Sequence, residues 1–286
     1  MLLHTRPDRS VDPLTVEVLR LVDRVLTING IRYFIGGASA RDLLLSNVLG
    51  FEIQRATKDI DFAIAAPSWS LFNKLRDELI ATGQFRANAR PFQRLYYGDA
   101  DLLRGYPIDI VLFGDAPAIP PEIGWPADDD IRFNPMGFDE SLAAASLVQI
   151  ADDVVIPVPS LPSLTALKLF AWRDRRDRTT KDALDFAHLL CVYGEAGNQE
   201  KLFGPAFDLM EKAGYDIQLA GARLLGAEVR ATMLPETTTA LIELLSGPAP
   251  IDRMTLQMAP HFRTSDNKIQ AAERLLSQFT TGLSGA

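Results

Sequence analysis

The segment Asp59-Ile-Asp-Phe-Ala-Ile64 alternates carboxylate and apolar side chains at its start. This alternation predicts a β-strand with one polar face, because successive side chains of a strand point to opposite sides. Asp59 and Asp61 would then project on the same side, with Ile60 and Phe62 directed into the core. Carboxylates placed this closely repel each other, and a hard divalent cation, Mg²⁺ or Mn²⁺, relieves the repulsion. The Asp-x-Asp pair therefore predicts a metal site.

A second apolar run, Ile108-Asp-Ile-Val-Leu-Phe113, contains a third acid, Asp109. An acid in a run that otherwise reads as a buried strand needs a partner, since burying an unpaired charge is costly. If the two strands are neighbours, Asp109 completes a three-carboxylate site that can hold two metal ions. Such a site aligns an acceptor hydroxyl with the α-phosphate of a nucleoside triphosphate. The alternative interpretation is that all three acids are solvated strand ends.

A glycine pair, Gly36-Gly37, separates a short β-prone run, residues 31–35, from a helix-prone stretch, residues 38–46. A glycine turn before a helix lets backbone N–H groups approach phosphate oxygens closely, and the Ser39 hydroxyl would add a donor. Alone, this pattern is typical of a simple tight turn. Upstream of the Asp-x-Asp strand, it predicts a cradle for a triphosphate.

The pattern of the chain changes near residue 160. Before that point, predicted strands and helices alternate, and a hairpin is expected around the acids Asp152 and Asp153. The proline- and acid-rich residues 116–136 predict a loop, with a mobile lid as the alternative. After residue 160, helical periodicity dominates. We therefore expect a catalytic domain over residues 1–160 and a helical domain over residues 161–286.

Composition narrows the class of protein. The 286 residues carry a formal net charge of -8, which argues against a general nucleic-acid coat protein, because such proteins have a basic field. The single cysteine, Cys191, cannot form an internal disulfide and is expected in the core. The N-terminal residues lack the apolar run of a signal peptide, and no stretch is long and apolar enough to span a membrane. A cytoplasmic protein without membrane partners is the expectation.

The sequence resembles the DNA polymerase beta-like nucleotidyltransferase superfamily. Three segments match the catalytic motifs of that superfamily and occur in the same order: Phe34-Ile-Gly-Gly-Ala-Ser39, Thr57-Lys-Asp-Ile-Asp-Phe62 and Ile108-Asp-Ile110. Within that superfamily it is most similar to the minimal and AbiEii-type toxin nucleotidyltransferases. The downstream segments that carry this similarity are Leu164-Thr-Ala-Leu-Lys-Leu169, Arg173 to Arg178 and Lys181-Asp-Ala-Leu-Asp185. The resemblance spans roughly residues 30–192.

The resemblance implies an α+β fold: a nucleotidyltransferase-type mixed β-sheet with flanking helices, followed by a mainly helical C-terminal domain. It further implies two metal ions on Asp59, Asp61 and Asp109, and transfer of a nucleoside monophosphate from a nucleoside triphosphate with release of pyrophosphate. Lys168 would contact the triphosphate. Lys181 and Asp182 match a later motif, although lysines and acids at helix starts also arise from capping alone. A cognate antitoxin is the implied partner.

The chain also departs from the family pattern. It has Gly36-Gly37 where the family more usually has Gly-Ser, and the spacing to Asp59 is longer than in the smallest members. The run Gly36 to Asp42 is similar to the Gly-Gly-x-x-Arg-Asp motif of CCA-adding enzymes, but one extra residue intervenes and their Glu-Asp-x-x-Arg motif is absent. Arg41 and Asp42 are therefore interpreted as solvated charges that pair locally on the helix, with a catalytic role as the alternative.

The acceptor is left open among tRNA, a protein hydroxyl and a small molecule. An antibiotic-modifying nucleotidyltransferase is one alternative, in which Asp128 to Asp130 would attract a cationic drug. A non-catalytic nucleotide-binding protein is another. The arginines of Arg173 to Arg178 would either contact a polyanion or form a solvated connection salt-bridged to Asp174 and Asp177. The aromatic residues nearby, Phe170, Trp172 and Phe186, are expected in the core, with base stacking by an exposed Trp172 as the alternative.

Overall fold

The computed structural model describes residues 1–52, 59–66, 68–87, 92–98, 105–114, 123–125 and 128–286. The chain divides into two compact units, Met1–Ser160 and Leu161–Ala286. The first unit combines helices with mixed sheets, and the second is helical. The predicted α+β class, with a mainly helical C-terminal region, is confirmed.

The first unit contains all the strands among the described residues. They are β1 Leu2–His4, β2 Arg32–Gly36, β3 Ile60–Ala65, β4 Phe85–Ala87, β5 Arg94–Tyr97, β6 Tyr106–Phe113, β7 Ile123–Trp125, β8 Asp128–Phe133, β9 Ser146–Ala151 and β10 Val154–Val158. A five-stranded sheet has the order β2-β3-β6-β5-β4. In this sheet β3 and β6 run parallel, whereas the other neighbours are antiparallel, so the sheet is mixed.

The helices of this unit are α1 Pro13–Ile28, α2 Gly37–Asp42, α3 Trp69–Ala81 and α4 Phe138–Ala143, and a π-helical segment, Leu43–Val48, continues α2. The start of α1 follows from its sequence. The Asp12 side chain accepts a hydrogen bond from the Thr15 N–H at 2.9 Å, and Pro13 occupies a first-turn position, where its missing N–H costs nothing. The helix ends at Asn29-Gly30, where Gly30 adopts a φ of +66°.

Two smaller sheets complete the unit. The hairpin predicted around Asp152 and Asp153 is confirmed, since β9 pairs antiparallel with β10. The N-terminal strand β1 adds to β9 in parallel. The predicted loop at residues 116–136 is wrong for part of its length, because β7 and β8 pair antiparallel there. The many prolines and acids of this segment led to the prediction of a loop, although Ile123, Trp125 and Phe133 are β-prone. Backbone pairing between β7 and β8 stabilises the strands despite that composition.

The second unit consists of α5 Leu161–Arg175, α6 Lys181–Val192, α7 Gln199–Leu202, α8 Phe207–Lys212, α9 Ile217–Thr232, α10 Pro235–Leu244, α11 Pro248–Met258 and α12 Lys268–Ser284. Glycines allow α9 and α12 to pack backbone to backbone. A Cβ at Gly226 would lie 2.1 Å from the Phe279 carbonyl oxygen, and one at Gly282 would lie 2.0 Å from that of Arg223. Larger residues would therefore force these two helices apart.

Core positions of the second unit agree in part with the sequence expectations. Phe170, Trp172 and Phe186 are buried, so the core interpretation is confirmed and Trp172 is not exposed for base stacking. Cys191, expected in the core, is only half-buried, and burial raises the pKa of its thiol to about 12. Within the described part of the chain, no helix combines the length and the apolar character needed to cross a bilayer.

Candidate active site

The two predicted carboxylate strands are neighbours. In the parallel pair β3 and β6, Asp61 lies directly opposite Asp109. The residues that flank Asp61, Ile60 and Phe62, are buried, while both aspartates are partly accessible. Strand alternation therefore places Asp61 and Asp109 side by side on one face. Asp59 immediately precedes β3 and is also partly accessible.

Arg94 on β5 joins two of these acids. It lies opposite Asp109 in the antiparallel pair β5 and β6. Its Nε donates to Asp109 Oδ1 at 2.8 Å, and its Nη2 donates to Asp109 Oδ2 at 2.5 Å and to Asp59 Oδ2 at 3.2 Å. The hydrogen bonds to Asp109 raise the pKa of the Arg94 guanidinium, so it stays charged. Arg94 was not among the residues predicted for the site, because its partners become apparent only when the strands pair.

The glycine turn lies against the same acids. Gly36 ends β2 opposite Asp61, and Gly37 begins α2 with a φ of +63°. A Cβ at Gly37 would lie 1.7 Å from Asp61 Oδ2. Only glycine fits this position, because it accepts a left-handed backbone and leaves room for the carboxylate. The turn predicted to hold phosphate is therefore in direct contact with Asp61.

Ser39 holds the first turn of α2 onto the strand. Its half-buried hydroxyl donates to the Asp59 carbonyl oxygen at 2.6 Å. The predicted phosphate donor thus has a backbone partner beside the acids. A short hydroxyl bond of this kind fixes the direction in which Asp59 enters β3.

Arg41 and Asp42 differ from expectation. They pair locally as predicted, with Arg41 Nη2 donating to Asp42 Oδ1 at 2.6 Å. The interpretation as solvated charges is wrong, because the Arg41 side chain is only 6% exposed and that of Asp42 is 14% exposed. They form a buried ion pair on α2, which the helical pattern alone did not indicate because burial depends on neighbouring elements.

The later family motifs meet inside the second unit. Lys168 on α5 is buried, and its Nζ lies 3.3 Å from Asp182 Oδ1 and 2.7 Å from Asp185 Oδ2. Arg175 Nη2 also donates to Asp182 Oδ1 at 2.9 Å. Two aspartates at the start of α6 therefore face a lysine and an arginine of α5. Lys181, the first residue of α6, is exposed.

The basic run after Lys168 is extensively paired. Arg173 donates to Asp174, Arg175 to Asp182 and Arg178 to the Asp174 carbonyl oxygen, while the Arg176 guanidinium lies 5.0 Å from the centre of the Trp172 ring. Asp177 pairs with Arg253 of α11. Of the two interpretations of this run, these contacts favour the salt-bridged connection over an open polyanion site.

Several predicted positions lie outside the described residues. Thr57 and Lys58 of the second family motif are among them. Asp128 to Asp130 were predicted to attract a cationic drug in the antibiotic-modifying alternative. Their backbone belongs to β8, but their side chains are outside the part of the chain that the structure describes.

The side chains at this position are chemically suited to a divalent metal. Carboxylate oxygens are the ligands that Mg²⁺ and Mn²⁺ prefer, and Asp61 and Asp109 are adjacent in register. Arg94 already places one positively charged nitrogen against both Asp59 and Asp109, so this position accepts a shared cation. In the arrangement seen here, no three His, Cys, Asp or Glu side chains of the described residues form a metal-binding group. The carboxylate ligands therefore fit a metal ion. The Arg94 guanidinium takes the place of a cation between two of the acids.

Comparison with known families defines the class of this protein as a nucleotidyltransferase. Residues 32–250 match the family model described as the nucleotidyl transferase AbiEii toxin of type IV toxin–antitoxin systems. The match covers most of the sequence, and the chain belongs to the AbiEii nucleotidyltransferase toxin family.

Solved structures with similarity to the chain include two other nucleotidyltransferases. The solution structure of the antibiotic-resistance factor ANT(2'')-Ia is 15% identical, with a TM-score of 0.38, over 71% of this chain and 96% of its own. A CCA-adding enzyme in complex with ATP is 14% identical, with a TM-score of 0.25, over 96% of this chain and 83% of its own. A search of the curated proteins finds no match.

Proposed function

We propose that the protein is a metal-dependent nucleotidyltransferase that moves a nucleoside monophosphate from a nucleoside triphosphate to an acceptor hydroxyl. The acceptor oxygen forms a bond to the α-phosphorus, and the bond from that phosphorus to the oxygen bridging the β-phosphate breaks. Pyrophosphate leaves with the bond electrons. The hydroxyl proton passes to Asp109, which therefore acts as base as well as ligand.

One observation carries this proposal: Asp61 and Asp109 lie opposite each other on adjacent parallel strands, and the Gly36-Gly37 turn lies directly against Asp61. Phosphate bound at the turn would thus be next to the carboxylates. Asp59, Asp61 and Asp109 are the proposed metal ligands, and a bound Mg²⁺ or Mn²⁺ supplies charge stabilisation for the reacting phosphate. Gly36 and Gly37 direct backbone N–H groups at the phosphates. Ser39 positions Asp59, and its hydroxyl, which has one proton to donate, would have to leave the Asp59 carbonyl oxygen in order to bind phosphate.

Within the second unit, Lys168, Lys181 and Asp182 are the further residues that we propose for nucleotide binding. Lys168 is the proposed triphosphate contact, and its position is fixed by Asp182 and Asp185. Asp182 is then a positioning residue, which holds the lysine ammonium in one place. Lys181 is exposed at the start of α6 and would add a second cation for phosphate.

For the acceptor we propose tRNA, so that the protein acts as a toxin with a cognate antitoxin as its natural partner. Membership of the AbiEii toxin family supports the toxin role. The net charge of -8 makes a large nonspecific contact with RNA unfavourable, so recognition would depend on a small, local surface. Growth of cells that express the native chain should fall relative to cells that express Asp61→Asn. Equal growth would contradict the toxin role while leaving the enzymatic proposal intact.

The enzymatic test uses each of the four α-labelled triphosphates with Mg²⁺ and, separately, purified tRNA, a protein extract and aminoglycosides. Native protein should label tRNA, and Asp61→Asn should reduce labelling at least about a hundredfold, as when a group that stabilises transition-state charge is lost. Asp153→Asn is the matched control, since Asp153 is an exposed aspartate in the turn of the β9–β10 hairpin, where it pairs with Arg20. Equal labelling by native protein and Asp61→Asn would refute the mechanism. Labelling of aminoglycosides alone would identify a drug-modifying enzyme instead.

A further inference from the structure

Arg94 forms hydrogen bonds with two of the three carboxylates assigned to the metal. The geometry is bidentate toward Asp109, through Nε and Nη2, and Nη2 also reaches Asp59. A single nitrogen therefore contacts oxygens of both acids. A metal ion bridging Asp59 and Asp109 would need those same oxygens.

Strand pairing fixes this arrangement. Arg94 lies opposite Asp109 in the β5 and β6 register, and the next residue, Leu95, is fully buried. Because strand side chains alternate, burial of Leu95 directs Arg94 to the other face, where Asp109 lies within reach. The Arg94 side chain is 29% exposed and that of Asp109 is 14% exposed, so water screens the pair less than it screens a surface ion pair.

The chemistry of the guanidinium makes it a competitor for the metal. Arginine has donors but no acceptor and keeps its proton in proteins, so it cannot coordinate a cation and can only yield its place. In its absence, Asp59 and Asp109 would hold adjacent negative charges without a counterion between them. Arg94 thus neutralises Asp59 and Asp109 and would at the same time obstruct a metal ion at these carboxylates.

We propose, on the basis of the metal site of the proposed function, that Arg94 is an internal counterion that occupies the metal position and is displaced when a divalent cation binds. A metal ion held by Asp59 and Asp109 would compete with the Arg94 Nη2 for these carboxylate oxygens. Metal would bind only to molecules in which Arg94 has released the acids. The apparent metal affinity is therefore the intrinsic affinity multiplied by the fraction of those molecules. Arg94 therefore sets how strongly the protein binds metal before nucleotide arrives.

The test measures Mn²⁺ binding by calorimetry without nucleotide, so that it does not depend on activity. Arg94→Gln should bind Mn²⁺ about tenfold more tightly than native protein, which corresponds to removal of about 1.4 kcal/mol of competition. Arg94→Lys keeps the charge but loses the bidentate geometry, and its affinity should be intermediate.

Arg20→Gln is the matched control, because Arg20 forms the same kind of bidentate pair with Asp153, through Nε at 2.9 Å and Nη2 at 2.8 Å, away from these acids in sequence and register. Its Mn²⁺ affinity should equal that of the native protein. If Arg94→Gln binds Mn²⁺ no more tightly than native protein, the counterion proposal is wrong although the metal site stands. If neither protein binds Mn²⁺, the proposed metal site itself fails.

A second measurement uses the native chain and so does not depend on how the variants fold. The side-chain Nε–H resonance of Arg94 should shift on titration with Mg²⁺, because the partners of the guanidinium change. The Arg20 resonance, in the exposed pair with Asp153, should stay constant. An Arg94 resonance that stays constant while Mg²⁺ binds would overturn the displacement.

Discussion

Gly37 and Asp61 are packed so closely that a single methyl group at Gly37 would lie 1.7 Å from the Asp61 carboxylate oxygen Oδ2. The glycine begins α2 and the aspartate lies in β3, so the contact joins the phosphate-binding turn proposed here to a proposed metal ligand. The turn and the carboxylate therefore cannot be changed independently of each other.

Gly37→Ala should abolish nucleotidyl transfer. The alanine would push the Asp61 carboxylate aside and would strain a backbone whose φ is +63°, at a cost of about 1 kcal/mol or more. Transfer is measured with labelled triphosphate, and stability by thermal unfolding. Gly30→Ala is the control, since Gly30 has a φ of +66° and nothing within 4 Å of the added Cβ. It should lose similar stability yet retain transfer; a comparable loss of transfer in both variants would exclude a specific role of the contact with Asp61.

Ser39→Ala removes the hydroxyl that donates to the Asp59 carbonyl oxygen at 2.6 Å. We expect a loss of about 1 kcal/mol in the free energy of unfolding, together with a lower kcat, because Asp59 is held less firmly. Steady-state kinetics separates the two roles considered for this residue. An increase in KM for the triphosphate with kcat unchanged would identify Ser39 as a phosphate contact. Ser39→Thr, which keeps the hydroxyl, should recover most of the native rate.

Lys168→Met should destabilise the second unit by about 3 kcal/mol, because it removes the ammonium shared by the buried Asp182 and Asp185, while Arg175 still pairs with Asp182. Chemical denaturation measures this effect. Lys212→Met removes an exposed pair with Asp208 in the same unit and should leave the unfolding midpoint unchanged. The double variant Lys168→Met with Asp182→Asn should be less destabilised than Lys168→Met alone. If it is not, the lysine acts through packing instead of through its charge.

His261 should make stability depend on pH. Burial lowers the pKa of this imidazole below its ordinary value of 6.5, and Arg263 adds to the effect. The unfolded chain therefore takes up a proton at a higher pH than the folded chain. Its contribution to stability is complete above pH 6.5 and is lost as the pH falls from that value toward the lower folded pKa.

Thermal unfolding from about pH 7.5 to about pH 5.5 measures this loss. His261→Gln should show a smaller decrease in melting temperature over that range than native protein. His4→Gln, at an exposed position of β1, should follow the native curve. A native curve and a His261→Gln curve with the same slope would show that other groups cause the dependence.

Local sequence was sufficient to predict several features of the first unit. The glycine turn before α2, the hairpin around Asp152 and the strand carrying Asp61 all follow from residue types a few positions apart. Strand alternation, capping and glycine conformations are properties of neighbouring residues, so they can be read without the fold. The loop expected at residues 116–136 failed because strand pairing there depends on two segments together.

The sequence by itself determined the α+β class, membership of the nucleotidyltransferase fold and the presence of Asp59 and Asp61 on one local segment. Only the tertiary structure placed Asp109 beside Asp61, set Arg94 against Asp59 and Asp109, and buried Arg41 with Asp42. The physical reason is the distance along the chain over which each kind of interaction acts. Backbone preference and side-chain alternation act over a few residues, whereas the partner of a charged group depends on which distant strands hydrogen-bond and in what register.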